Sequence, residues 1–539
     1  MSEESNRQGR AVDDMSTQDE GNVDCHREND VRAKGNQNDM PYVRMLEEYV
    51  SQHYVPFHTP GHKIGKSAPA LLQHWMGPAL PYDLGVMYAL DDLHEPEGPL
   101  KEAQELAAQL YGAEHTWFSI NGTTAIIQAM ILGTVGEGDA IIVPREAHRS
   151  VIGGLVLSGA RPIYMEGRFS ERWGVPLGAS VDEVCRTMDA HPEAKALLLV
   201  HPNYYGIGVA IEDIVEEAHR RGVIVLVDEA HGPHLPFGKT MPLEAIAAGA
   251  DVVAQSTHKL AGSLTQTSML HAQGKLVDYR RITQAHQLLQ STSPNYIFIA
   301  SLDMARHQLA TEGRQLVAAT EHLSVSVRHR LRTITGIAVP EANDFGGDGG
   351  LDCTKILIDF KGLQLSGREA EQRLRKHRIE VELVQGYHVL ILLTIGDDET
   401  SANALVQAVA AVSKERLDEL HRMNIEGVQG KHSDPAHELG RDAITALAGS
   451  EVRLPKPDVV LTPRQAWQAK RETVALTDAI GCISGETISY YPPGIPFLGM
   501  GERITPDVVA YIKRRRSLGY VPNGAKDESL QTIVVCNEE

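Results

Sequence analysis

The sequence predicts an α/β protein in which helices cover both faces of a mostly parallel sheet. Four short and almost entirely apolar runs, at 140–143, 196–200, 223–227 and 252–254, have the length and composition of buried strands. Helical patterns such as 211–221 separate these runs. Because parallel strands need crossover connections, this alternation predicts a three-layer α/β major domain, which we place at residues 40–310.

The chain of 539 residues is too long for one hydrophobic core, so we expect further domains. Residues 1–39 contain no Phe, Tyr, Trp, Leu or Ile, and we predict that they form a disordered tail. A helical stretch at 299–331 leads into a smaller α+β domain at 311–425, with strands at 355–358 and 388–393 and a helix at 367–377. A polar segment near 430–441 then separates a C-terminal α+β domain at 426–539.

Composition narrows the class of partner. The net charge of −20 argues against nucleic acid or an anionic membrane as the main partner. We find no signal peptide and no apolar run of the ~18 residues that would span a bilayer. The five cysteines form no C-x-x-C pair, so we predict neither a disulfide framework nor a metal site. These features predict a cytoplasmic protein whose ligand is a small molecule.

Lys259 carries the strongest chemical signal, in the run Gln255-Ser256-Thr257-His258-Lys259 after an apolar strand. An ε-amine can form an imine with an aldehyde, and neighbouring hydroxyl and imidazole groups can bind a phosphate. The alternative is a solvated lysine at a strand end. Taken alone, this run leaves open whether Lys259 is such a solvated lysine or binds an aldehyde cofactor such as pyridoxal 5′-phosphate (PLP).

Asp228 opens the run Asp228-Glu229-Ala230-His231 at the end of another buried strand, where α/β sheets bind ligands. PLP needs a carboxylate that keeps its pyridine nitrogen protonated, and Lys259 follows Asp228 by 31 residues, enough for one helix and one strand. A helix N-cap would explain the aspartate alone. The same letters occur in nucleic-acid helicases, but the phosphate loop that those enzymes need is one residue short at 61–67.

Two further segments supply groups that PLP requires. The run Asn121-Gly122-Thr123-Thr124 opens a helix, and backbone amides with threonine hydroxyls at a helix N-terminus form an anion cradle. His148 follows the strand at 140–143, and its imidazole can stack on the pyridine ring. Each has a plain alternative, an ordinary helix cap for the first and an exposed loop histidine for the second.

Together these segments resemble the Orn/Lys/Arg decarboxylase family of PLP fold type I, which has an aspartate aminotransferase-like architecture. The resemblance covers most of residues 54–539 and rests on eight motifs in order. They are Phe57-His58-Thr59-Pro60-Gly61-His62-Lys63, Leu90-Asp91-Asp92-Leu93-His94, Asn121-Gly122-Thr123-Thr124, His148-Arg149-Ser150-Val151, Asp228-Glu229-Ala230-His231, Ser256-Thr257-His258-Lys259, Ser291-Thr292-Ser293-Pro294 and Tyr491-Pro492-Pro493-Gly494-Ile495-Pro496.

The resemblance implies a role for each residue. Lys259 is similar to the lysine that binds the cofactor, Asp228 to the partner of the pyridine nitrogen, His231 to a histidine beside the ring and His148 to the stacking histidine. The phosphate shell would comprise Thr123, Thr124, Ser256 and His258, and Asn121 and Gly122 would also bind the cofactor. Thr292 resembles a residue that reaches the cofactor site of a neighbouring subunit. Glu502 resembles an acidic residue near the distal cation of the substrate.

The implied activity is decarboxylation of a basic amino acid to an amine of polyamine biosynthesis, with arginine favoured over lysine and ornithine. The resemblance is to the shorter bacterial members, often arginine decarboxylase-like, and not to the large forms whose additional N-terminal domain helps to build decamers. We expect a homodimer or a higher homo-oligomer. Two alternatives remain: a PLP-dependent aminotransferase of the same fold, and a catalytically inactive PLP-binding regulator.

Overall fold

The computed structural model of the chain describes residues 35–347, 349–429, 454–490, 495–517 and 520–537. The predicted N-terminal tail therefore lies outside the described residues, apart from 35–39. The first four positions of the Pro-Pro-Gly motif, 491–494, also lie outside them. Within the described residues, no helix is both long enough and apolar enough to cross a membrane.

The helices follow one another along the whole described chain. In order they are α1 (Pro41–Ser51), α2 (Ala70–Met76), α3 (Pro99–Tyr111), α4 (Gly122–Thr134), α5 (Arg149–Ser158), α6 (Val181–Ala190), α7 (Ile211–Arg220), α8 (Thr257–Leu260), α9 (Tyr279–Leu289), α10 (Tyr296–Arg332), α11 (Gly367–Lys376), α12 (Glu399–Gln429), α13 (Pro463–Gln468) and α14 (Pro506–Ser517).

The strands belong to one large sheet and several small ones. In chain order they are β1 (His115–Ser119), β2 (Ala140–Pro144), β3 (Arg161–Met165), β4 (Arg168–Ser170), β5 (Val175–Gly178), β6 (Ala194–Val200), β7 (Ile224–Asp228), β8 (Val252–Gln255), β9 (Ser268–Ala272), β10 (Lys355–Asp359), β11 (Leu383–Gln385), β12 (His388–Leu392), β13 (Arg471–Ala475), β14 (Ile483–Ser484), β15 (Ile488–Tyr490), β16 (Ile495–Leu498), β17 (Pro522–Asn523) and β18 (Thr532–Cys536).

The large sheet has seven strands in the order β1-β9-β8-β7-β6-β2-β3. The four strands predicted from apolar runs are its parallel centre, β8-β7-β6-β2. Alternate side chains of β7 face opposite layers, because Val225 and Val227 pack in one core with Ile214 of α7 and Leu226 packs in the other with Ile126 of α4. This is the predicted three-layer arrangement.

One strand of this sheet, β9, departs from the parallel pattern, and its neighbour β1 runs in the same direction as β8. β9 pairs antiparallel with β8 and with β1. Both β1 and β9 contain buried polar residues, and Thr116 Oγ1 lies 2.8 Å from His271 Nδ1 across the pair. Polar residues break the apolar run that identifies a buried strand, which is why these two strands were not predicted.

The helix α10 connects the large sheet with the three-stranded sheet β10-β12-β11, against which α11 and α12 pack. The strands and helix predicted for this region all form. However, α10 runs through residue 310 and α12 runs through residue 425, where we placed the domain boundaries. The boundaries themselves stay predictions.

The C-terminal residues form two further three-stranded sheets, β13-β18-β14 and β16-β15-β17, with α14 packed in their core. Arg464 and Glu502 are among the side chains that join this region to the major domain. Arg464 of α13 donates to the carbonyl of Val156 near the end of α5 at 2.8 Å. Glu502 accepts from Arg145, which follows β2, at 2.7 Å.

A buried arginine attaches the N-terminal segment to α10. Arg306 donates to Asp303 Oδ1 at 2.7 Å, and neither side chain has exposed surface. Arg306 also donates to the carbonyls of Gln37 and Asp39, while Asp303 Oδ2 accepts from the Tyr42 backbone at 3.1 Å. Residues 37–39, which we placed in the disordered tail, are therefore attached to α10, because one guanidinium binds their carbonyl groups.

The variant Arg306→Ala leaves the Asp303 carboxylate buried without its cation. We expect the free energy of unfolding to fall by about 3–5 kcal/mol, as for other broken buried pairs, measured by denaturant titration. The control is Arg330→Ala on the same helix, a residue 32% exposed whose carboxylate partner lies 3.9 Å away. The control should lose no more than about 1 kcal/mol. Equal losses in the two variants would contradict the assignment.

Candidate active site

A cavity of about 510 Å³ lies beyond the carboxyl ends of the parallel strands β6, β7 and β8. This is the edge at which open α/β sheets bind ligands. The sequence-predicted residues that line it are Gly122, Thr123, Thr124, His148, Asp228, His231, Ser256, His258 and Lys259. Nine of the twelve predicted site residues, which lie far apart in the chain, therefore meet in one cavity.

Asp228 is the last residue of β7 and is opposite Ala254 of β8 in the parallel register. Its side chain is 5% exposed, and its Oδ1 accepts from the Ala230 backbone at 3.1 Å. Burial raises the pKa of Asp228, and the neighbouring His148 and Lys259 act in the opposite direction. A cation bound beside this buried carboxylate would stabilise its ionised form.

Lys259 lies on the short helix α8, directly after β8. Its Nζ is 2.9 Å from His231 Nε2 and 5.7 Å from the ring centroid of Tyr204. Burial lowers the pKa of Lys259, while the charges of Asp228 and Glu382 act in the opposite direction. A lowered pKa increases the fraction of neutral amine, the form that acts as a nucleophile.

His231 lies between Lys259 and Tyr204, and its ring centroid is 4.6 Å from that of Tyr204. Burial lowers the pKa of His231 well below its usual value, and the charges of Lys259 and Lys355 lower it further. The imidazole is therefore neutral and can accept a proton from the lysine at Nε2. Within the described residues, its buried Nδ1 has no hydrogen-bond partner.

His148 is the N-cap of α5, where its Nδ1 accepts from the Ser150 backbone at 3.3 Å and lies 2.8 Å from Ser150 Oγ. These contacts orient the ring at the wall of the cavity. Burial lowers the pKa of His148, and the negative charge of Asp228 opposes this. A neutral ring in this position can lie against an aromatic ligand without bringing a second cation to Lys259.

The helix α4 begins at Gly122, whose φ of +75° suits a glycine. Thr123 Oγ1 bonds to Ser256 Oγ and, at 2.7 Å, to Ser268 Oγ, so hydroxyl groups from three segments meet beneath the helix start. His258 contributes its Nδ1, 2.7 Å from the Thr267 carbonyl. The unpaired N–H groups of a helix start, with these hydroxyls, form a cradle suited to an anion.

Three predicted residues do not line this cavity. Asn121 donates its side-chain amide to the Leu289 carbonyl at 2.8 Å. Thr292 is exposed in the loop before α10. Glu502 has no exposed surface and is occupied by Arg145, and it also accepts from the Gly499 backbone at 2.6 Å. Glu502 is thus paired with an arginine in this structure, and its predicted contact with a substrate cation stays a prediction.

The cavity also contains Tyr204 and Glu146, which we did not predict as site residues. Tyr204 follows β6 in the run Tyr204-Tyr205, and two aromatic residues just past a buried strand were a signal that could have been used. Glu146 lies two residues before His148. Burial raises the pKa of Glu146 to about 7, so its carboxyl is partly protonated near neutral pH.

A second group of residues missed from the sequence lies behind His231. Lys355 of β10 donates to the His231 carbonyl at 3.2 Å and forms a fully buried ion pair with Asp352. His234 Nε2 lies 3.0 Å from the same carboxylate. These positive groups hold the pKa of Asp352 well below its usual range, against the effect of burial. The small sheet therefore supports the loop that carries His231.

Glu229 points away from the cavity, because adjacent residues alternate at the end of a strand. It is fully buried and accepts from the Ala245 backbone at 2.8 Å and from the Gln255 amide at 2.7 Å. Burial raises the pKa of Glu229 to about 8. The carboxyl next to Asp228 is thus mainly protonated at neutral pH. Across the described parts of the chain, no cluster of His, Cys, Asp or Glu is arranged to hold a metal ion.

Comparison with known proteins identifies the family to which the chain belongs. Residues 40–343 match the family model described as Orn/Lys/Arg decarboxylase, major domain, and residues 448–521 match the C-terminal domain of the same family. The arginine decarboxylase of Bacillus subtilis is 38% identical over 508 residues, which cover 93% of this chain and 99% of the relative. A lysine decarboxylase of Pseudomonas aeruginosa is 27% identical, covering 86% of this chain and 74% of the relative.

Among solved structures, the constitutive lysine decarboxylase of Escherichia coli superposes with a TM-score of 0.77 at 22% identity. The superposition covers 93% of this chain and 82% of that chain. This likeness confirms the fold class that the sequence predicted.

Glu229 makes stability depend on pH. Its pKa is raised in the folded state from 4.5 to about 8, so its contribution to stability is complete below pH 4.5 and is lost as the pH rises through 8. Glu146 and Glu244, whose pKa values burial raises to about 7, act in the same direction. The combined contribution of these three groups to the free energy of unfolding should therefore decline between pH 5 and 8.

The variant Glu229→Gln should make this decline shallower by up to about 1.4 kcal/mol per pH unit, because one titrating group is removed. Denaturant titrations at several pH values measure the slope. The loss of a hydrogen bond lowers the free energy of unfolding equally at every pH, so it does not change the slope. Glu380→Gln, at an exposed glutamate, is the control and should keep the wild-type slope. An unchanged slope in Glu229→Gln would refute the raised pKa.

Proposed function

The chain belongs to the Orn/Lys/Arg decarboxylase family, and from that premise we propose that it is a PLP-dependent decarboxylase that converts L-arginine to agmatine and CO2. The family is the one that the sequence motifs predicted. The single observation that supports both PLP as the cofactor and the proposed reaction is one cavity. Its lining includes Lys259, Asp228 and His231 together with the start of α4 at Gly122.

The described residues fit PLP at each end of the cofactor. The cradle of α4, with Ser256 and His258 beside it, suits the phosphate, and the Asp228 carboxylate suits a protonated pyridine nitrogen. Lys259 lies between them with a lowered pKa, as an amine that forms an imine requires. The unpartnered Nδ1 of His231 is one further polar atom at the cavity. When bound, PLP would supply a conjugated ring that accepts the electron pair left on the α-carbon when the Cα–carboxylate bond breaks and CO2 departs.

The protein residues supply binding, orientation and proton transfer. Asp228 remains ionised beside a cationic ring nitrogen, because a buried carboxylate is stabilised by an adjacent positive charge. His148 would hold the ring from one side. Lys259 and His231 are 2.9 Å apart, so a proton can pass between Nζ and Nε2 and reach the α-carbon of the substrate. Asn121 would shape the start of the phosphate cradle through its bond to Leu289.

Arginine is our first choice of substrate because the relatives named arginine decarboxylase are 37–38% identical over 86–93% of this chain. The lysine decarboxylases are 24–27% identical. Lysine and ornithine are the next candidates. The product amine would enter polyamine biosynthesis in the cytoplasm.

We also propose that the chain works as a homodimer or a larger homo-oligomer. Eight large hydrophobic side chains are exposed within residues 54–88, and Phe57 alone is 94% exposed. Exposed apolar groups at this density are typical of an interaction surface. The members of this exposed segment are Tyr54, Val55, Phe57, Leu71, Leu72, Trp75, Val86 and Tyr88. Thr292, exposed in its own chain, would then reach the site of the second subunit.

The activity is tested by measuring CO2 and amine release from L-arginine, L-lysine and L-ornithine with added PLP. We expect arginine to have the highest kcat/KM. Lys259→Ala should lose at least about 10³-fold in kcat, because it removes a group that acts in the chemical step. Formation of a keto acid in place of CO2, or wild-type activity in Lys259→Ala, would contradict the proposal.

The assembly is tested by sedimentation velocity of the full chain. Wild type should sediment as a dimer or larger, and Phe57→Asp should shift the population towards monomer, because a charge would be buried in the interface. Val325→Asp is a matched control on α10, at a valine 61% exposed outside the exposed segment. Monomeric wild type would refute the assembly, and equal dissociation of the two variants would refute the assignment of this surface.

A further inference from the structure

A basic substrate needs a carboxylate for its distal cation, and the cavity offers few. Among the described residues that line it, the carboxyl groups are those of Asp228 and Glu146. Asp228 has the position of the cofactor partner. The Glu146 carboxyl is packed against the backbone, because a Cβ atom on Gly167 would lie 2.5 Å from Glu146 Oε1. The charged group that acts on the pKa of Glu146 is another carboxylate, that of Glu183. Glu502 is paired with Arg145.

Glu382 offers a carboxylate from the other side of the site. It directly precedes β11 of the small sheet, where its backbone N–H donates to the Leu390 carbonyl at 3.0 Å. Its side chain is exposed, and its Oε1 accepts a short hydrogen bond from Tyr204 Oη. Within the described part of the chain, no other side chain binds this carboxylate.

Tyr204 connects Glu382 with the reactive lysine. Lys259 Nζ lies over the phenol ring, 5.7 Å from its centroid, and the hydroxyl group donates a hydrogen bond to Glu382. The charge of Glu382 reaches Lys259 Nζ, where it raises the pKa of the lysine against the effect of burial. A substrate whose α-amino group lies at Lys259 can thus extend its side chain along the Tyr204 ring towards this carboxylate.

We propose that Glu382 binds the distal cation of the basic amino acid, with Tyr204 holding the carboxylate in place; this inference rests on the proposed function. The aromatic face of Tyr204 suits a guanidinium, which stacks on rings, and a carboxylate suits its fork of N–H donors. The exposed position of Glu382 leaves one side of the carboxylate open to an incoming ligand.

The test compares wild type, Glu382→Gln and Glu380→Gln as PLP-loaded full-length proteins. Glu380 is a matched control, because it lies two residues away, is 73% exposed and pairs with Arg375 outside the cavity. In Glu382→Gln, KM for L-arginine should rise about 10–100-fold, as expected for a lost charge-assisted bond, and kcat should change much less. The control should keep both constants. Glu382→Asp, which keeps the charge on a shorter side chain, should fall in between.

Binding without turnover gives a second readout. The dissociation constant of agmatine, measured by equilibrium dialysis, should rise by a similar factor in Glu382→Gln. The inhibition constant of L-norleucine, whose side chain is uncharged, should not change, because that side chain makes no ion pair. Agmatine binding equal to that of the control would overturn the inference. So would a charge-specific loss in Glu502→Gln with none in Glu382→Gln.

The two readouts also separate this inference from the proposed function. If wild type releases no CO2 from any of the three basic amino acids, the proposed function fails, and the agmatine measurement still decides whether Glu382 binds a cation. If wild type is active and Glu382→Gln keeps the KM of the control, the inference fails and the proposed function stands.

Discussion

The parallel pairing of β7 with β8 is the constraint on which the site depends. Their register sets Asp228 opposite Ala254, so the segment that follows β8 must pass beside the end of β7. Ser256 and Lys259 are therefore brought next to Asp228 by backbone hydrogen bonds rather than by contacts of their own. The neighbouring pairing of β6 with β7 adds Tyr204 from the third strand end. A sheet edge of this kind places unlike groups close together with little freedom to move.

Burial then determines the protonation states of these groups. Desolvation disfavours charge on Lys259, His231 and His148, and it also disfavours charge on Asp228. A cofactor with a cationic ring nitrogen compensates Asp228, while the lysine and the histidines can remain neutral. The same low-dielectric surroundings that make isolated charges unfavourable thus prepare a nucleophilic amine. The fully buried pair of Lys355 and Asp352 supports the backbone of this region from behind.

The C-terminal residues contribute to the site indirectly. Glu502 binds Arg145 just before His148, and Arg464 binds the last turn of α5, whose N-cap is His148. Both ends of the segment that presents this histidine are therefore attached to the C-terminal sheets. In this structure Glu502 pairs with Arg145, and the substrate contact that the family resemblance implied stays a prediction.

The sequence by itself determined the fold class and the family, and it pointed to nine of the residues that line the cavity. Strand-end motifs hold Asp228, His231, Ser256 and Lys259, helix-start motifs hold Gly122, Thr123 and His148, and each can be read locally because neighbouring residues share one element. Only the tertiary structure decided which distant side chains meet these motifs. The contacts from Tyr204 to Glu382, from His231 to Lys355 and from Arg145 to Glu502 join residues 178, 124 and 357 positions apart. Such contacts depend on how whole sheets pack against one another, and no local pattern of residues records that packing.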